Sequence, residues 1–332
     1  MNIIFYSPNF HPMVGGLENV VKDLAVELTC QGHFVRILTL APSKEIDTSS
    51  FSIIRLPTFW KVVEHIKWGD IYIQVNISLK GIIPYLFVRK PFVVYHQNLY
   101  PKYTWYGRLK WFVSRQATIN IGCSSFIADH FFDCHVLGNP YDDSTFKHVG
   151  GRERSKDIVF LGRLVSDKGC EVILYALHIL RQLTGLTPIL TIVGDGPEKQ
   201  RLIGLVHELA LVQQVRFAGV YQGHSLAALL NEHQIMVVPS VYEEPFGIVA
   251  LEGIACGCFV IGSKTGGLTE AIGPCGITFP MGDANALATV IAKALGEPIW
   301  RATHLQYVTL HLRKHTRRAV GQQFIKTIKE KL

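Results

Sequence analysis

The chain has 332 residues, 48% of them hydrophobic and 18% charged, with a formal net charge of +7. That length accommodates two domains of ordinary size, each able to bury its own core, while its longest apolar runs, such as Gly81 to Val88, are too short to cross a bilayer. Seven cysteines, an odd number without a Cys-x-x-Cys pair, argue against a disulfide framework or a zinc site and for a reduced, cytoplasmic chain.

The amino terminus, Met1-Asn2-Ile3-Ile4-Phe5-Tyr6, shows neither a basic leader nor a small-residue cleavage site, so no signal peptide is expected. The first half alternates strand and helix patterns. A strand is expected from Ile3 to Ser7, a helix from Leu17 to Gln31 and a strand from Phe34 to Leu40. Further strands are expected from Phe51 to Leu56, Ile71 to Val75, Phe92 to Tyr95 and Ile119 to Cys123. Short apolar strands separated by helices predict a parallel sheet covered on both faces.

After the first strand, His11-Pro12-Met13-Val14-Gly15-Gly16-Leu17-Glu18 leads into a helix, and its paired glycines allow close approach of a ligand to the helix mouth. A plain loop with a helix start accounts for the same residues. The Gly-x-Gly-x-x-Gly spacing of nicotinamide dinucleotide sites is absent, which disfavours an ordinary dehydrogenase. His96, at the end of an apolar strand, is placed for its ring to enter a cleft, although histidines at strand ends are often structural.

Charge is segregated. From Ile71 to Ala128 there is no Asp or Glu, while Lys80, Arg89, Lys90, Lys102, Arg108, Lys110 and Arg115 lie among Tyr100, Tyr103, Trp105, Tyr106, Trp111 and Phe112. Aromatic rings beside lysine and arginine suit an anionic membrane surface better than nucleic acid. A solvated basic helix with its rings facing a core is the competing reading.

Turn chemistry at Gly138-Asn139-Pro140-Tyr141-Asp142-Asp143, followed by a polar run to Lys156, marks a boundary between a domain at 1–150 and a second at 151–318. The second series of strands is expected from Ile158 to Gly162, Ile189 to Gly194, Val215 to Ala218, Ile235 to Pro239 and Phe259 to Gly262. A last helix, Val320 to Lys331, closes the chain in a segment at 319–332. Two doubly wound domains in series would bind ligands in the cleft between their facing loop ends.

Four loops of the second half carry chemistry. Arg163 and Lys168, five residues apart after the strand at Ile158, can converge on one diphosphate as a planar fork and a compact charge; two solvated surface cations are the alternative. Val193-Gly194-Asp195-Gly196-Pro197-Glu198 is a strand end and tight turn, in which Gly194 admits a ligand edge and the two acids cap a helix. Ser263-Lys264-Thr265-Gly266-Gly267-Leu268 is a similar glycine-paired loop. Finally, Glu244-Pro245-Phe246-Gly247-Ile248-Val249-Ala250-Leu251-Glu252 reads as a helix starting at a turn, with Glu244 and Glu252 about 80° apart around its axis and roughly 12 Å apart along it. Phosphates would sit at the helix mouth by Phe246, Gly247 and Ile248, a sugar near Glu244 and ribose hydroxyls near Glu252. A capped amphipathic helix with incidental glutamates is the bland alternative.

Taken together, Gly15-Gly16-Leu17-Glu18, Gly162-Arg163 with Lys168-Gly169, Val193-Gly194-Asp195-Gly196-Pro197, and Glu243-Glu244-Pro245-Phe246-Gly247 through Glu252-Gly253 resemble, in order, the family-4 retaining glycosyltransferases. The resemblance implies the GT-B fold, an α/β architecture of two Rossmann-like, doubly wound parallel-sheet domains facing across a cleft. It implies an acceptor-binding first domain, a nucleotide-sugar-binding second domain and a final helix returning to the first. It further implies that Arg163 and Lys168 grip the donor diphosphate, that Glu252 binds ribose and Glu244 the transferred sugar, that Gly15 and Gly16 lie against the donor, and that His96 stands at the reacting face. No metal or cofactor is expected. The donor would be a UDP-sugar or GDP-sugar, the acceptor a glycan or lipid-linked glycan, and the location the cytoplasmic face of a membrane. A sugar-nucleotide epimerase or hydrolase, and a non-catalytic nucleotide-sugar-binding module, remain as alternatives on the same architecture.

Overall fold

The computed structural model describes residues 1–13, 15–44, 47, 49–150 and 154–332. They divide into two compact units, one of Met1–Tyr141 with His315–Leu332 and the other of Asp142–Lys314. The divisions fall at Tyr141/Asp142 and Lys314/His315, earlier than the boundaries read from the sequence. The start of the expected second domain, 151–153, lies outside the described residues, as does Val14 of the glycine-paired loop.

The first unit is built on β1 (Asn2–Tyr6), β2 (Phe34–Thr39), β3 (Ser52–Arg55), β4 (Ile71–Val75), β5 (Phe92–His96), β6 (Ile119–Gly122) and β7 (Cys134–Val136), in the order β3-β2-β1-β4-β5-β6-β7 with every pair parallel. The central β1 sets Ile3 opposite Val35 on one side and Ile71 on the other. Its residues Ile3, Ile4 and Phe5 are all fully buried, which is why this strand reads as a continuous apolar run rather than an alternation.

The carboxyl-terminal segment completes this unit. Tyr141 bridges Thr316, Arg317 Nε donates to Asp23 Oδ1 at 2.8 Å, and the helix Arg317–Lys331 packs on the helix Gly16–Cys30. Phe324, fully buried, stacks on Phe5 with ring centroids 6.2 Å apart and lies 5.8 Å from Tyr95. Gly321 permits the approach, since a Cβ there would stand 2.4 Å from Glu27 Cγ.

The second unit contains β8 (Lys156–Leu161), β9 (Leu190–Val193), β10 (Val215–Gly219), β11 (His233–Val238), β12 (Phe259–Ser263) and β13 (Gly276–Phe279), in the order β10-β9-β8-β11-β12-β13, again all parallel. Ile158, Phe160, Ile192, Ile235, Val237 and Ile261 of its strands pack with the helices Cys170–Thr184 and Ala284–Gly296 in one core. Strand order reverses between β8 and β11, and open sheets of this kind bind ligands outside the carboxyl ends of the strands at that switch point.

Two strands were not expected from the sequence. Both β7 and β13 are edge strands of three and four residues, and β13 begins on a glycine. An edge strand needs neither length nor an apolar run to pair on one side, so its pattern is weak.

Candidate functional site

The loops after β8, β9, β11 and β12 are tied to one another by backbone contacts that only small residues allow. Leu164 donates its N–H to Asp195 O at 2.9 Å and its own carbonyl accepts from Glu198 N at 3.0 Å. A Cβ on Gly194 would stand 1.9 Å from Gly162 O, and Gly194 has φ +133°, so two main chains meet where glycine is required. The β8 loop is fastened to the β11 loop by the 2.9 Å bond from Val241 N to Asp167 O. The β12 loop in turn supports β11: Gly267 N donates to Glu244 O at 2.8 Å, and Thr265 Oγ1 to Tyr242 O at 2.9 Å.

These ties bring two of the expected residues into direct contact. Lys168, at the end of a short 3₁₀ turn (Ser166–Lys168), donates from Nζ to Glu244 Oε1 at 2.9 Å and to Oε2 at 3.1 Å. The lysine side chain is 28% exposed and the carboxylate 9%, so the ion pair sits at the lip of the unit with its acid inside. Tyr242 completes a triad. Its hydroxyl accepts from Lys168 Nζ at 2.9 Å, and its ring lies 4.8 Å from the same ammonium. Burial, then the neighbouring Glu244 charge, raises the tyrosine pKa well above its usual 10, so the phenol stays protonated. Tyr242 was missed in the sequence; an aromatic residue between Pro239 and the glutamate pair was the available signal.

Arg163 lies in the same β8 loop but is exposed, and its guanidinium makes no hydrogen bond or ion pair among the described residues.

The glutamate pair does not share a helix. The helix runs from Ile248 to Ala255, and Gly247 before it adopts φ +100°, a left-handed conformation that breaks helical continuity with Pro245 and Glu244. The 80° and 12 Å relationship expected for Glu244 and Glu252 is therefore corrected: Glu244 is held by the loop and only Glu252 by the helix, both 7% exposed. Phe246 is buried ahead of the helix, Gly247 caps it and Ile248 opens it, so of the three expected amides only those of Gly247 and Ile248 belong to the helix start. At the ends of β11 and β12, the hydroxyls of Ser240 and Ser263 are buried with no hydrogen-bond partner among the described residues.

In the first unit, Gly15 and Gly16 stand at the β1 loop and open the helix Gly16–Cys30, and a Cβ on Gly15 would lie 2.5 Å from Glu18 Oε2. His96 departs from expectation. Its ring is fully buried, stacked 3.7 Å from Phe131, with Nδ1 3.0 Å from Tyr100 OH and Nε2 2.9 Å from Asn120 Oδ1. The Asn120 amide nitrogen already donates to Ser114 O and Phe132 O, so Oδ1 accepts and Nε2 carries the proton. Burial lowers the histidine pKa to about 4, opposed by the Asn120 bond. The ring expected to face a cleft is thus a neutral, enclosed brace with both nitrogens engaged, and a hydrogen bond from it to sugar or acceptor is not available in this arrangement.

Among the described residues no three His, Cys, Asp or Glu side chains are grouped to hold a metal ion, and no helix is long and apolar enough to cross a membrane.

Two α/β units with parallel sheets of seven and six strands are the architecture of GT-B glycosyltransferases. The chain belongs to the family described as glycosyl transferases group 1, whose sequence model matches residues 142–307, half of its length. Residues 2–135 match the starch synthase catalytic domain. Glycogen synthase of Mycobacterium tuberculosis is 32% identical over 190 residues, 56% of this chain and 45% of that protein. D-inositol 3-phosphate glycosyltransferase of Corynebacterium jeikeium is 32% identical over 192 residues, 55% of this chain and 46% of that protein. The aligned regions span just under half the length of these relatives. Among solved structures, Anabaena Alr3699/HepE in complex with UDP superposes with a TM-score of 0.85 at 19% identity, covering 99% of this chain and 100% of that one. Sucrose-phosphate synthase from Thermosynechococcus elongatus gives 0.82 at 23% identity, covering 99% and 98%. At such identities the superpositions speak for the fold.

Proposed function

We propose that the chain is a retaining glycosyltransferase that moves a hexose-type sugar from a nucleoside diphosphate sugar to a glycan or lipid-linked acceptor. The observation that carries this reading is the Lys168–Glu244–Tyr242 triad at the β8/β11 switch point, with Arg163 in the same β8 loop making no side-chain hydrogen bond or ion pair among the described residues. One cation is held in a fixed place against a buried acid, and a second is free to fold onto an anion. Together they suit a pyrophosphate: the arginine fork takes two oxygens and the lysine a third.

In this reading the first amides of the helix Ile248–Ala255 add main-chain donors to the departing diphosphate, Glu252 takes the ribose hydroxyls, and the glycine contact at Gly194 leaves room for the edge of a base. Glu244 accepts from sugar hydroxyls through oxygens that the lysine keeps oriented. Bond cleavage at the sugar leaves an oxocarbenium-like centre, with its negative counterpart on the diphosphate opposite Arg163 and Lys168. The acceptor hydroxyl then attacks on the face that the diphosphate leaves, and a diphosphate oxygen takes its proton. Neither a covalent sugar–enzyme intermediate nor a metal is called for, since two protein cations neutralise the leaving group. Acceptor recognition falls to the first unit, whose Gly15-Gly16 loop would lie against the donor, and an anionic membrane is the surface on which a lipid-linked acceptor is met.

The complexes of HepE with UDP and UDP-glucose make UDP-glucose the first donor to try. Incubation with UDP- and GDP-sugars and an acceptor panel, reading released nucleotide and the anomeric configuration of the product, tests the proposal. Acceptor-dependent release with retained configuration is expected. An altered sugar nucleotide formed without acceptor would assign epimerase or hydrolase chemistry instead, and donor binding without turnover on any acceptor would leave a binding module.

A further inference from the structure

The first unit carries an apolar knob that its own core does not cover. Phe59 and Trp60 open the helix Phe59–Trp68, and their rings meet Phe87 at 5.4 and 6.2 Å between centroids. Leu86 is 73% exposed, Trp60 69%, Phe87 60% and Ile83 53%, while the large apolar side chains of the central strands β1, β4 and β5 are buried. Ile83, Leu86 and Phe87 project from the last turn of the helix Leu79–Tyr85 and the residues that prolong it, Phe87 N bonding to Pro84 O. A contiguous exposed apolar cluster of this kind marks an interaction surface rather than scattered surface residues.

Its rim is basic. Lys61 and Lys80 are exposed on the two helices, and Arg89 and Lys90 follow the knob directly in the chain. Leu86, Val88, Arg89 and Lys90 line an open groove of about 530 Å³ at the foot of the knob. The helix Phe59–Trp68 also carries Glu64, an exposed acid one turn on from Trp60, while Arg89 and Lys90 line the groove with Leu86.

We propose that this knob is a docking surface for an anionic lipid bilayer: Trp60, Leu86 and Phe87 enter the interfacial layer, while Arg89 and Lys90 hold lipid phosphates at the groove. Aromatic and aliphatic side chains beside lysine and arginine are the composition that binds the headgroup boundary. A second copy of the chain fits less well, because a self-complementary contact would set the cationic rim against itself. The proposal names the membrane contact of the functional reading above, yet rests on residues outside the Lys168–Glu244 site and does not require that reading to hold. Within the expected span Ile71 to Ala128 it shifts the emphasis from the aromatic stretch to the knob: Tyr103, Trp105 and Phe112 are exposed, but Lys102 lies 4.4 Å over the ring of the half-buried Trp111, and Lys110 lies 4.6 Å over Tyr106, so that stretch satisfies some of its cations internally.

The test is co-sedimentation of the full chain with phosphatidylcholine vesicles, with and without phosphatidylglycerol. Wild type is expected to pellet with the anionic vesicles and to be released by salt. Leu86→Ser with Phe87→Ser should abolish pelleting. Arg89→Gln with Lys90→Gln should weaken partitioning to anionic vesicles about 25-fold, or about fivefold per cation, and leave the weak neutral-vesicle binding unchanged. Both double variants should keep the thermal midpoint and UDP binding of wild type. In wild type, brominated lipid should quench a fluorescence component that is missing in Trp60→Phe, a readout independent of the double variants. Equal pelleting with neutral and anionic vesicles, or undiminished pelleting of Leu86→Ser/Phe87→Ser, would overturn the proposal. So would a concentration-dependent dimer that the same substitutions dissolve, which would assign the knob to a second copy.

Discussion

Replacing Lys168 by Ala removes the cation that joins the β8 and β11 loops. At 2.9 Å and an effective dielectric constant near 20, Coulomb attraction between Nζ and Oε1 amounts to about 6 kcal/mol. Most of that is offset by desolvation of Glu244 and screening at a lysine still 28% exposed, leaving about 1–2 kcal/mol of net stability. The thermal midpoint should fall by about 2–8 °C, with the fold intact. Turnover should fall further, by about 10²–10³, because a positioned donor at the developing diphosphate charge contributes about 3–4 kcal/mol in the transition state. Released nucleotide from a saturating donor, measured beside a melting curve, separates the two effects. Turnover within a few-fold of wild type, with the expected loss of stability, would show that Lys168 is a structural tie alone and would refute the assignment of the leaving-group site.

Glu244→Gln should act in the opposite sense on binding and in the same sense on catalysis. With the carboxylate gone, Lys168 is free for phosphate, so calorimetry should show UDP bound about 5–30-fold more tightly while transfer falls by tenfold or more. Tyr242→Phe keeps the ring beneath the lysine and deletes only the hydroxyl; a loss of about 1 kcal/mol in transition-state binding is expected, read as a fall in kcat/KM with an unchanged melting point. The buried His96 makes stability depend on pH. Its folded pKa is depressed, so between pH 6.5 and about 4 the unfolded chain binds the proton that the folded one refuses, and stability falls as pH falls through that window. His96→Gln should reduce the difference in unfolding free energy between pH 7 and pH 5 by about 2 kcal/mol, measured by denaturant titration. Phe324→Ala should cost the first unit about 3–5 kcal/mol, visible as early loss of protection from hydrogen exchange in β1 and β5.

The central strands were legible in the sequence because strands buried on both faces are apolar along most of their length, as Phe92 to Tyr95 is and as Ile71 to Val75 is apart from the buried, hydrogen-bonded Gln74. The edge strands were not, because pairing on one side places little demand on residue type. At the site, Lys168 and Glu244 could be named from their motifs, but their 2.9 Å contact spans residues far apart in the chain and depends on loops stitched together by glycine backbones, which no local pattern encodes. The geometry of Glu244 was misread for a related reason. Eight-residue spacing reads as helical, whereas a single glycine at φ +100° interrupts the helix between the two acids. His96 looked accessible because it closes a strand; its enclosure comes from Phe131 and Asn120, which arrive from elsewhere in the unit.

The discontinuous make-up of the first unit bears on how the chain matures. Synthesis runs from the amino end, so the sheet from β1 to β7 emerges early, yet the ring that fills the space over Phe5 and Tyr95 belongs to Phe324 and emerges late. The second unit, one unbroken stretch, can settle while it is being made. Until the helix that carries Phe324 has been made, Phe5 and Tyr95 lack the ring that covers them in the finished unit, so the first unit closes last although its sheet is made first.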